Sequence, residues 1–234
     1  MNTHDLVLGT SSDGEPIAPD GSPVSLLAEF PAGRDGTVID RFLRPRNTII
    51  ELGCGAGRLI NPLAARGHYA VGVDISAEML ARLRGPRAVC EDITTCSLDE
   101  QFHLVLLASH LLNTCSSADA AAFLRSCRHH VRDDGRVLVQ LTDPEWCRAL
   151  SPGDSWSNGG FDREILSVTR LGPEEFEIQM CYRKGDRVWT SRWRDRLVSA
   201  ADFAAMADDA GLRLSDDLTG APDWFCLVPR RTDR

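Results

Sequence analysis

Three glycines at every second position, between two apolar segments, are the residues best suited to bind a ligand. Gly53, Gly55 and Gly57 follow the apolar stretch Thr48–Leu52, and a helical pattern begins directly after them. Glycines let the backbone turn sharply and approach a ligand closely, and the free N–H groups at a helix start suit an anionic group. The pattern predicts a loop that holds a charged small ligand.

Two acidic residues accompany this glycine loop. Glu51 stands two residues before Gly53, and Asp74 ends the next apolar stretch, seventeen residues after Gly57. A carboxylate at the end of the second strand can accept hydrogen bonds from both hydroxyls of a ribose. The spacing therefore indicates a nucleoside ligand.

Two alternatives compete with this interpretation. A dinucleotide site needs G-x-G-x-x-G, but Arg58 stands where the third glycine would be, and a count from Gly55 ends at Ile60. A turn without any ligand is the other alternative, although three alternating glycines cost much chain entropy for a turn alone. The observed spacing, G-x-G-x-G with an acid before it, favours the nucleoside site.

Four segments resemble the successive motifs of class I S-adenosylmethionine-dependent methyltransferases. They read ELGCGAGR, VGVDISAEML, CEDI and FHLVLLASHLLN, and they lie in the expected order within residues 47–141. The resemblance implies S-adenosylmethionine as the cofactor, with its methionine carboxylate at the helix start. It also implies a Rossmann-like methyltransferase fold. It does not indicate which substrate is methylated.

The resemblance also implies a set of cofactor-binding positions. They are Glu51, Gly53, Cys54, Gly55, Gly57, Asp74, Ile75, Met79, Asp92, Ile93, Ala108 and Ser109. In this assignment Glu51 lies near the cofactor ammonium, Asp74 holds the ribose and Asp92 accepts from the adenine amino group. The apolar members would pack against the adenosine, and Ala108 and Ser109 would face the methionine part.

Some of these positions have an alternative structural role. Ile75, Met79 and Ile93 could be ordinary core residues. Asp92 could be the N-cap of a short helix, because it begins an Asp-x-Thr sequence.

His110 is the predicted catalytic residue. It follows the fourth predicted strand, at the sheet edge where open α/β sheets bind ligands, and histidine titrates near working pH. A structural hydrogen bond is the alternative role. Asn113 is a neighbouring polar candidate for substrate binding.

The elements that must position these residues alternate between strands and helices. The predicted strands are Thr48–Leu52, Tyr69–Val73, Arg87–Cys90, His103–Ala108 and Arg136–Leu141. The predicted helices between them are Arg58–Arg66, Ala77–Leu83 and Ala118–His130. This alternation predicts an α/β fold with a doubly wound, mostly parallel sheet, which the resemblance extends to seven strands.

The rest of the chain divides around this core. Residues 1–46 are predicted to form an N-terminal segment with a cap helix; within it, 10–23 is loop-like and 24–44 is helical with a break near 31–36. Residues 47–150 form the cofactor-binding core. Residues 151–198 form an antiparallel insertion or lid. Residues 199–234 form a last helix, Ala200–Ala210, and two closing strands, Leu212–Leu214 and Trp224–Val228.

The insertion is predicted from period-two alternation in Glu175–Arg183 and Arg187–Leu197. Tryptophans on one face of the second segment could line an acceptor site, and arginines on the other could meet an anionic acceptor. The predicted substrate-binding residues here are Trp156, Trp189, Arg192 and Trp193. Simple packing of the tryptophans on the core is the alternative.

The composition of the chain argues against several classes of binding partner. The formal net charge of -8 over 234 residues argues against a nucleic-acid binder. No apolar run approaches the ~18 residues of a membrane span, and no secretory pattern begins the chain. Eight cysteines without C-x-x-C or zinc-finger spacing predict reduced thiols and no bound metal. We expect a cytoplasmic monomer or homodimer with no nucleic-acid or membrane partner.

Three functions remain open from the sequence. The first is N-, O- or C-methylation of a small molecule, reached by elimination because the chain lacks an N-P-P-Y or D-P-P-Y motif, a cysteine pair for pyrimidine chemistry and a catechol-type metal cluster. In the second, the methionine moiety itself reacts, by cyclisation or aminocarboxypropyl transfer, and methylthioadenosine is released. The third is a degenerate domain that only binds. An Arg-, Ala-, Gly- and Asp-rich composition indicates secondary metabolism.

Overall fold

Two β-sheets organise the chain in a computed structural model, which describes residues 10–11, 14, 16–217 and 219–230. The strands, in chain order, are β1 (Thr10–Ser11), β2 (Thr48–Leu52), β3 (Tyr69–Asp74), β4 (Arg87–Cys90), β5 (Phe102–Leu107), β6 (Val131–Gln140), β7 (Ser155–Asn158), β8 (Phe161–Gly172), β9 (Glu175–Lys184), β10 (Arg187–Arg196), β11 (Leu212–Leu214) and β12 (Trp224–Pro229). The helices are α1 (Val24–Glu29), α2 (Gly33–Asp40), α3 (Ile60–Ala65), α4 (Ala77–Leu80), α5 (Leu111–Thr114), α6 (Ser117–His130), α7 (Pro144–Ala149) and α8 (Ala200–Asp209).

The larger sheet has seven strands in the order β11-β12-β6-β5-β2-β3-β4. The strands from β6 to β4 pair in parallel, whereas β12 runs antiparallel to both β6 and β11. The chain builds outward from β2 to β4 and then returns to add β5 on the other side of β2. The carboxyl ends of β2 and β5 therefore flank the switch point at which open α/β sheets bind ligands. The predicted Rossmann-like, seven-stranded fold is confirmed.

Alternating side chains of the central strands fill two apolar layers. Ile50 and Leu52 of β2 lie in the layer covered by α6 and α8, and Ile49 lies in the layer covered by α2 and α3. Burying one such side chain stabilises the fold by about 1.5–3 kcal/mol. Both faces are covered, which explains why the strand sequences are almost wholly apolar. Glu51 shares the face of Ile49 and is the exception in β2.

The smaller sheet is antiparallel, in the order β1-β10-β9-β8-β7. Its buried face holds Phe176, Ile178 and Met180 of β9 together with Trp189 of β10. These are the positions that period-two alternation assigns to one face, so the antiparallel insertion is confirmed in β9 and β10. Phe30, just after α1, packs against the same cluster and links the N-terminal segment to this sheet.

The structure corrects the prediction for residues 10–23. They are not simply a loop-like lead-in, because the backbone of β1 pairs with Trp189 and Thr190 at the edge of the antiparallel sheet. An isolated bridge also joins Ile17 to Pro23. The predicted break in the helical stretch that follows is confirmed, since α1 ends at Glu29 and α2 begins at Gly33.

Besides β1, four elements were not predicted: α5, α7, β7 and β8. In β8 the register shifts between Ile165 and Ser167 and again between Arg170 and Gly172. These irregularities break the period-two pattern, so the longest strand of the sheet does not look like a strand in the sequence. The helices α5 and α7 have four and six residues, too few for a helical period to emerge.

No helix in the described part of the chain combines the length and the apolar character needed to cross a bilayer.

Candidate functional site

The glycine loop crosses the carboxyl end of β2. The N–H groups of Gly53 and Cys54 both donate to the Val73 carbonyl, at 2.8 and 2.9 Å, which bends the chain tightly over β3. Gly53 has φ of 74°, and a Cβ there would lie 2.4 Å from the Leu111 side chain. At Gly55, by contrast, a Cβ would have no neighbour within 4 Å, so the outer side of the loop is open.

Glu51 lies beneath this loop and is 3% exposed. Its Oε2 atom is buried and has no hydrogen-bond partner. Burial raises the pKa of this carboxyl to about 8, against the opposing effects of Arg58 and of the Ile60 N–H group. A buried acceptor without a donor costs free energy, and functional sites are where such groups are retained.

Asp74 connects the loop to the end of β3. Its two carboxylate oxygens accept from the Gly55 N–H at 2.8 Å and from the Ser76 N–H at 2.9 Å. Burial raises the pKa of Asp74, and these two backbone donors oppose the shift. Each oxygen keeps a free lone pair, so the side chain can still accept from a ligand.

The apolar residues assigned to the adenosine occupy different environments. Ile75 is 57% exposed, as expected for a side chain that a ligand would cover. Met79 is buried against Ala18, Val24 and Ala56, where the N-terminal segment packs on the glycine loop. Ile93 lies in the main core, which is the alternative role considered for it.

Asp92 is exposed and begins a short turn. Its Oδ1 atom accepts from both the N–H and the hydroxyl of Thr94, each at 2.8 Å. This is the capping geometry considered as an alternative. It leaves Oδ2 available to a ligand, so a contact with the adenine amino group stays a prediction.

Ser109 and His110 form a strained turn at the carboxyl end of β5. Both have left-handed backbone conformations, with φ of 57° and 60°. Each such non-glycine residue costs of order 1–3 kcal/mol, and strain of this kind is concentrated at functional sites. Ser109 is exposed, whereas Ala108 and Cys54 are buried, so those two would contribute backbone groups to a ligand rather than side chains.

His110 has a buried Nδ1 atom without a hydrogen-bond partner. Burial lowers the pKa of its imidazole, and the charges of Asp195, Asp223 and Asp35 oppose this shift, Asp195 most strongly. The imidazole is therefore neutral near pH 7 and able to accept a proton. It follows β5, the strand that pairs with β2, and so lies at the switch point beside the glycine loop.

Asp195 of β10 is the main electrostatic partner of His110. It is 3% exposed. It accepts from the Thr142 hydroxyl at 3.0 and 3.1 Å and from the Trp193 indole N–H at 3.4 Å. Burial raises the pKa of Asp195, and His110 opposes the shift. The antiparallel sheet thus contributes a carboxylate to the site.

Gln140, the last residue of β6, is hydrogen-bonded to the strained turn. Its Oε1 atom accepts from the Ser109 N–H at 3.0 Å, and its amide nitrogen donates to Asp35 at 3.3 Å and Asp223 at 3.2 Å. Asp35 pairs with Arg58 at 2.6 Å, and Asp223 pairs with Arg34 at 2.5 Å. This network joins α2, β6 and the start of β12 to the His110 turn.

Asn113 does not occupy the substrate-binding position predicted for it. It is 1% exposed, its amide nitrogen donates to the Arg196 carbonyl and its oxygen accepts from the Thr142 N–H, both at 2.9 Å. These two bonds hold β10 and the end of β6 together. Asn113 is a structural residue of the junction between the two sheets.

Replacing Asn113 by leucine should therefore destabilise the fold. The change leaves the Thr142 N–H and the Arg196 carbonyl buried without partners, at about 1–3 kcal/mol each. We expect the free energy of unfolding in urea to fall by about 2–5 kcal/mol. Asn158→Leu, at an exposed position in β7, is the control. A variant as stable as the parent would show that Asn113 does not join the sheets.

The predicted substrate residues of β10 are not brought together. Trp189 is 1% exposed and donates to the Ser25 hydroxyl at 2.9 Å, so it is a core residue rather than an open wall. Trp193 is partly buried on the same face, and Arg192 is exposed on the opposite one. Trp156 packs edge to face with Trp146. Trp193 is linked to Asp195 through its indole N–H.

Four residues of the site were missed from the sequence: Asp35, Gln140, Asp195 and Asp223. Two of them carry a signal that could have been used. Asp195 interrupts the apolar face that Trp193 and Leu197 define in β10, and Gln140 is the single amide in the apolar end of β6. Asp35 and Asp223 lie in polar segments and carry no such signal.

The residues present suit S-adenosylmethionine. The unpartnered Glu51 oxygen can accept from an ammonium group, the open side of Gly55 admits close approach of a ligand, and Asp74 retains acceptor capacity for a ribose. No group of three His, Cys, Asp or Glu side chains among the described residues could hold a metal ion.

A doubly wound sheet with this glycine loop and acid pair defines a nucleoside-binding α/β domain. A family model described as a methyltransferase domain matches residues 49–135. This match covers the glycine loop and Asp74, and solved S-adenosylmethionine-dependent methyltransferases share the fold of the chain. Both findings are consistent with the class I methyltransferase resemblance and with S-adenosylmethionine as the cofactor.

A curated relative matches part of the chain. A ubiquinone biosynthesis O-methyltransferase of Bradyrhizobium diazoefficiens is 27% identical over 109 residues. That alignment covers 42% of this chain and 41% of the relative, so the match spans less than half of the relative's length.

Two solved structures share the fold over most of the chain. An amino pentose methyltransferase from Micromonospora echinaspora has a TM-score of 0.65 at 19% identity, covering 84% of this chain and 90% of that one. A sugar N-methyltransferase from Streptoalloteichus has a TM-score of 0.63 at 19% identity, covering 89% and 87%.

Proposed function

We propose that the protein transfers the methyl group of S-adenosylmethionine to a small-molecule acceptor by direct displacement, with His110 as the general base. The observation that supports this most strongly is the buried, unpartnered carboxylate of Glu51 under the glycine loop. The neutral His110 across the same switch point adds the group that could remove a proton from the acceptor.

Each residue of the crevice has a separate task in this proposal. Glu51 binds the ammonium group of the cofactor, the backbone around Gly55 approaches its methionine part, and Asp74 accepts from the ribose hydroxyls. Bound S-adenosylmethionine supplies a methyl group that its positive sulfur already activates. The protein has to align the acceptor and manage one proton. His110 takes that proton, and the strained turn that Gln140 supports fixes where the imidazole stands.

A small-molecule acceptor is supported by the similar proteins. The solved neighbours are described as sugar and amino pentose methyltransferases, and the curated relative acts in ubiquinone biosynthesis. These descriptions divide between nitrogen and oxygen acceptors, so they do not select the atom. A role in secondary metabolism and a cytoplasmic location are part of the same proposal.

The test follows the nucleoside products. The full chain is incubated with S-adenosylmethionine, alone and with pooled small-molecule extract, and the products are identified by mass spectrometry. S-adenosylhomocysteine that forms only with extract supports methyl transfer. Methylthioadenosine that forms without extract would contradict it and favour reaction of the methionine moiety. Cofactor binding without either product would favour a domain that only binds.

The raised pKa of Glu51 predicts that cofactor affinity depends on pH. Below pH 8 the free protein holds a proton on Glu51, and that proton must leave before the carboxylate can pair with an ammonium group. The dissociation constant should therefore fall about 10-fold from pH 6 to pH 7, and one proton should be released on binding. Isothermal titration calorimetry in buffers of different ionisation enthalpy measures both quantities.

Glu51→Gln should bind more weakly and lose this pH dependence, whereas Glu175→Gln, at the exposed start of β9, should retain it. A parent protein whose cofactor affinity is the same at pH 6 and pH 7 would refute the pairing of Glu51 with the ammonium group.

A further inference from the structure

Asp195 is a buried carboxylate without a cation to balance it. Among the described residues, no arginine, lysine or histidine nitrogen lies within ion-pair distance, and its partners are the neutral groups of Thr142 and Trp193. A buried carboxylate in this state is costly unless a positive group joins it. The His110 imidazole forms no ion pair with Asp195, and burial lowers the pKa of that imidazole.

A second observation indicates a ligand in the same region. The Oδ1 atom of Asp223 is buried without a partner, and the side chain is 9% exposed. Its other oxygen already accepts from Arg34 and Gln140. Asp223 and Asp35 both act electrostatically on His110. The arginines Arg34 and Arg58 balance these two carboxylates and leave Asp195 unbalanced.

We propose that the acceptor is an amine, which enters as its ammonium ion and is held by Asp195 beside His110. This inference rests on the proposed function and names its substrate class. The ammonium offsets the cost of burying the Asp195 carboxylate. The antiparallel sheet, through β10, is then the part of the protein that selects the acceptor.

The reaction balances with the groups present. His110 accepts one proton from the ammonium and leaves a neutral amine with a free electron pair. That pair forms the bond to the methyl carbon, while the bond from this carbon to sulfur breaks and its electrons return to sulfur. The products are S-adenosylhomocysteine and a methylammonium ion, and His110 passes its proton to solvent.

The direction of charge movement distinguishes an amine from a phenol. In N-methylation, positive charge moves from sulfur to the acceptor nitrogen, so a carboxylate beside that nitrogen stabilises the transition state relative to the neutral amine from which it forms. A phenol would have to react as its anion, and the unbalanced carboxylate of Asp195 disfavours that anion. The electrostatics therefore select nitrogen.

The test uses S-adenosylmethionine labelled with ¹³C in its methyl group. The full chain is given two acceptor libraries, one of amino sugars and alkyl and aryl amines, the other of phenols and alcohols. The ¹³C shift of each product assigns the label to nitrogen, oxygen or carbon. Label on nitrogen supports the inference. Label on oxygen or carbon overturns it and leaves the proposed methyl transfer standing. Cofactor binding with no labelled product from either library overturns both.

Asp195→Asn tests the residue itself. The amide oxygen can still accept from Thr142, so packing is retained while the charge is lost. For an amine acceptor we expect KM to rise about 10- to 100-fold, with the dissociation constant of S-adenosylmethionine unchanged. Asp186→Asn, in the exposed turn before β10, is the control. An unchanged KM would overturn the role of Asp195, and circular dichroism confirms that each variant is folded.

Discussion

Asp74→Ala is expected to raise the dissociation constant of S-adenosylmethionine about 100-fold, equivalent to about 2.7 kcal/mol. The proposed ribose contact consists of two hydrogen bonds to a charged group, each of which contributes about 1.5–3 kcal/mol. Alanine also removes the acceptors for the N–H groups of Gly55 and Ser76, so the glycine loop loses its tie to β3. Calorimetric titration of the purified chain measures the effect.

Asp74→Asn separates the two causes of that loss. One amide oxygen can still accept from a backbone N–H, but the negative charge is gone, so we expect an increase of only about 10-fold. Asp133→Ala removes an exposed carboxylate that pairs with Arg128, and it should leave cofactor affinity unchanged. A dissociation constant within threefold of the parent value in Asp74→Ala would show that the ribose is bound elsewhere.

His110→Asn is expected to lower kcat by about 100- to 1000-fold, which is the usual range for loss of a general base. Asparagine tolerates the left-handed conformation that His110 adopts, so the turn should keep its shape. Affinity for S-adenosylmethionine should not change, because His110 would act on the acceptor. Steady-state rates with an identified acceptor, together with calorimetry, separate these effects.

His110→Ala distinguishes loss of the base from collapse of the turn. Alanine should lower kcat as much as asparagine does, and its variant should be less stable than His110→Asn by about 1–2 kcal/mol, because asparagine tolerates the left-handed conformation and alanine does not. His129→Asn, at an exposed position at the end of α6, is the control and should keep full activity. Activity close to the parent value in His110→Asn would eliminate His110 as the base.

For an amine acceptor, the loss in His110→Asn should shrink as the pH rises. Above the pKa of the acceptor ammonium, the neutral amine no longer needs a protein group to remove its proton. In the parent enzyme, the acid limb of kcat/KM should lie below the ordinary histidine value, because burial lowers the pKa of His110. Rates measured from pH 5 to pH 10 would show both effects.

The sequence predicts the core fold well because its signals are local. The apolar strands β2 and β3, the glycines between them and the acid that ends β3 all lie within about thirty residues of one another, and parallel strands covered on both faces read as apolar runs. The prediction was weaker where regularity fails. The prediction missed the bulged strand β8. It also missed the pairing of β1 with β10, because a pairing across nearly 180 residues leaves no local pattern.

The residues around His110, the proposed base, show most clearly what the sequence could not predict. The sequence alone determined the fold class, the glycine loop, Glu51, Asp74 and the place of His110 beyond β5, because each belongs to a strand and the turn that follows it. Only the tertiary structure decided that Asn113 joins the two sheets, that Trp189 belongs to the core and that Arg192 faces away. It also decided that Asp195 of β10 is buried where its charge acts on His110. These outcomes depend on how the antiparallel sheet packs against the parallel one, and burial and charge pairing between residues distant in sequence exist only once that packing has formed.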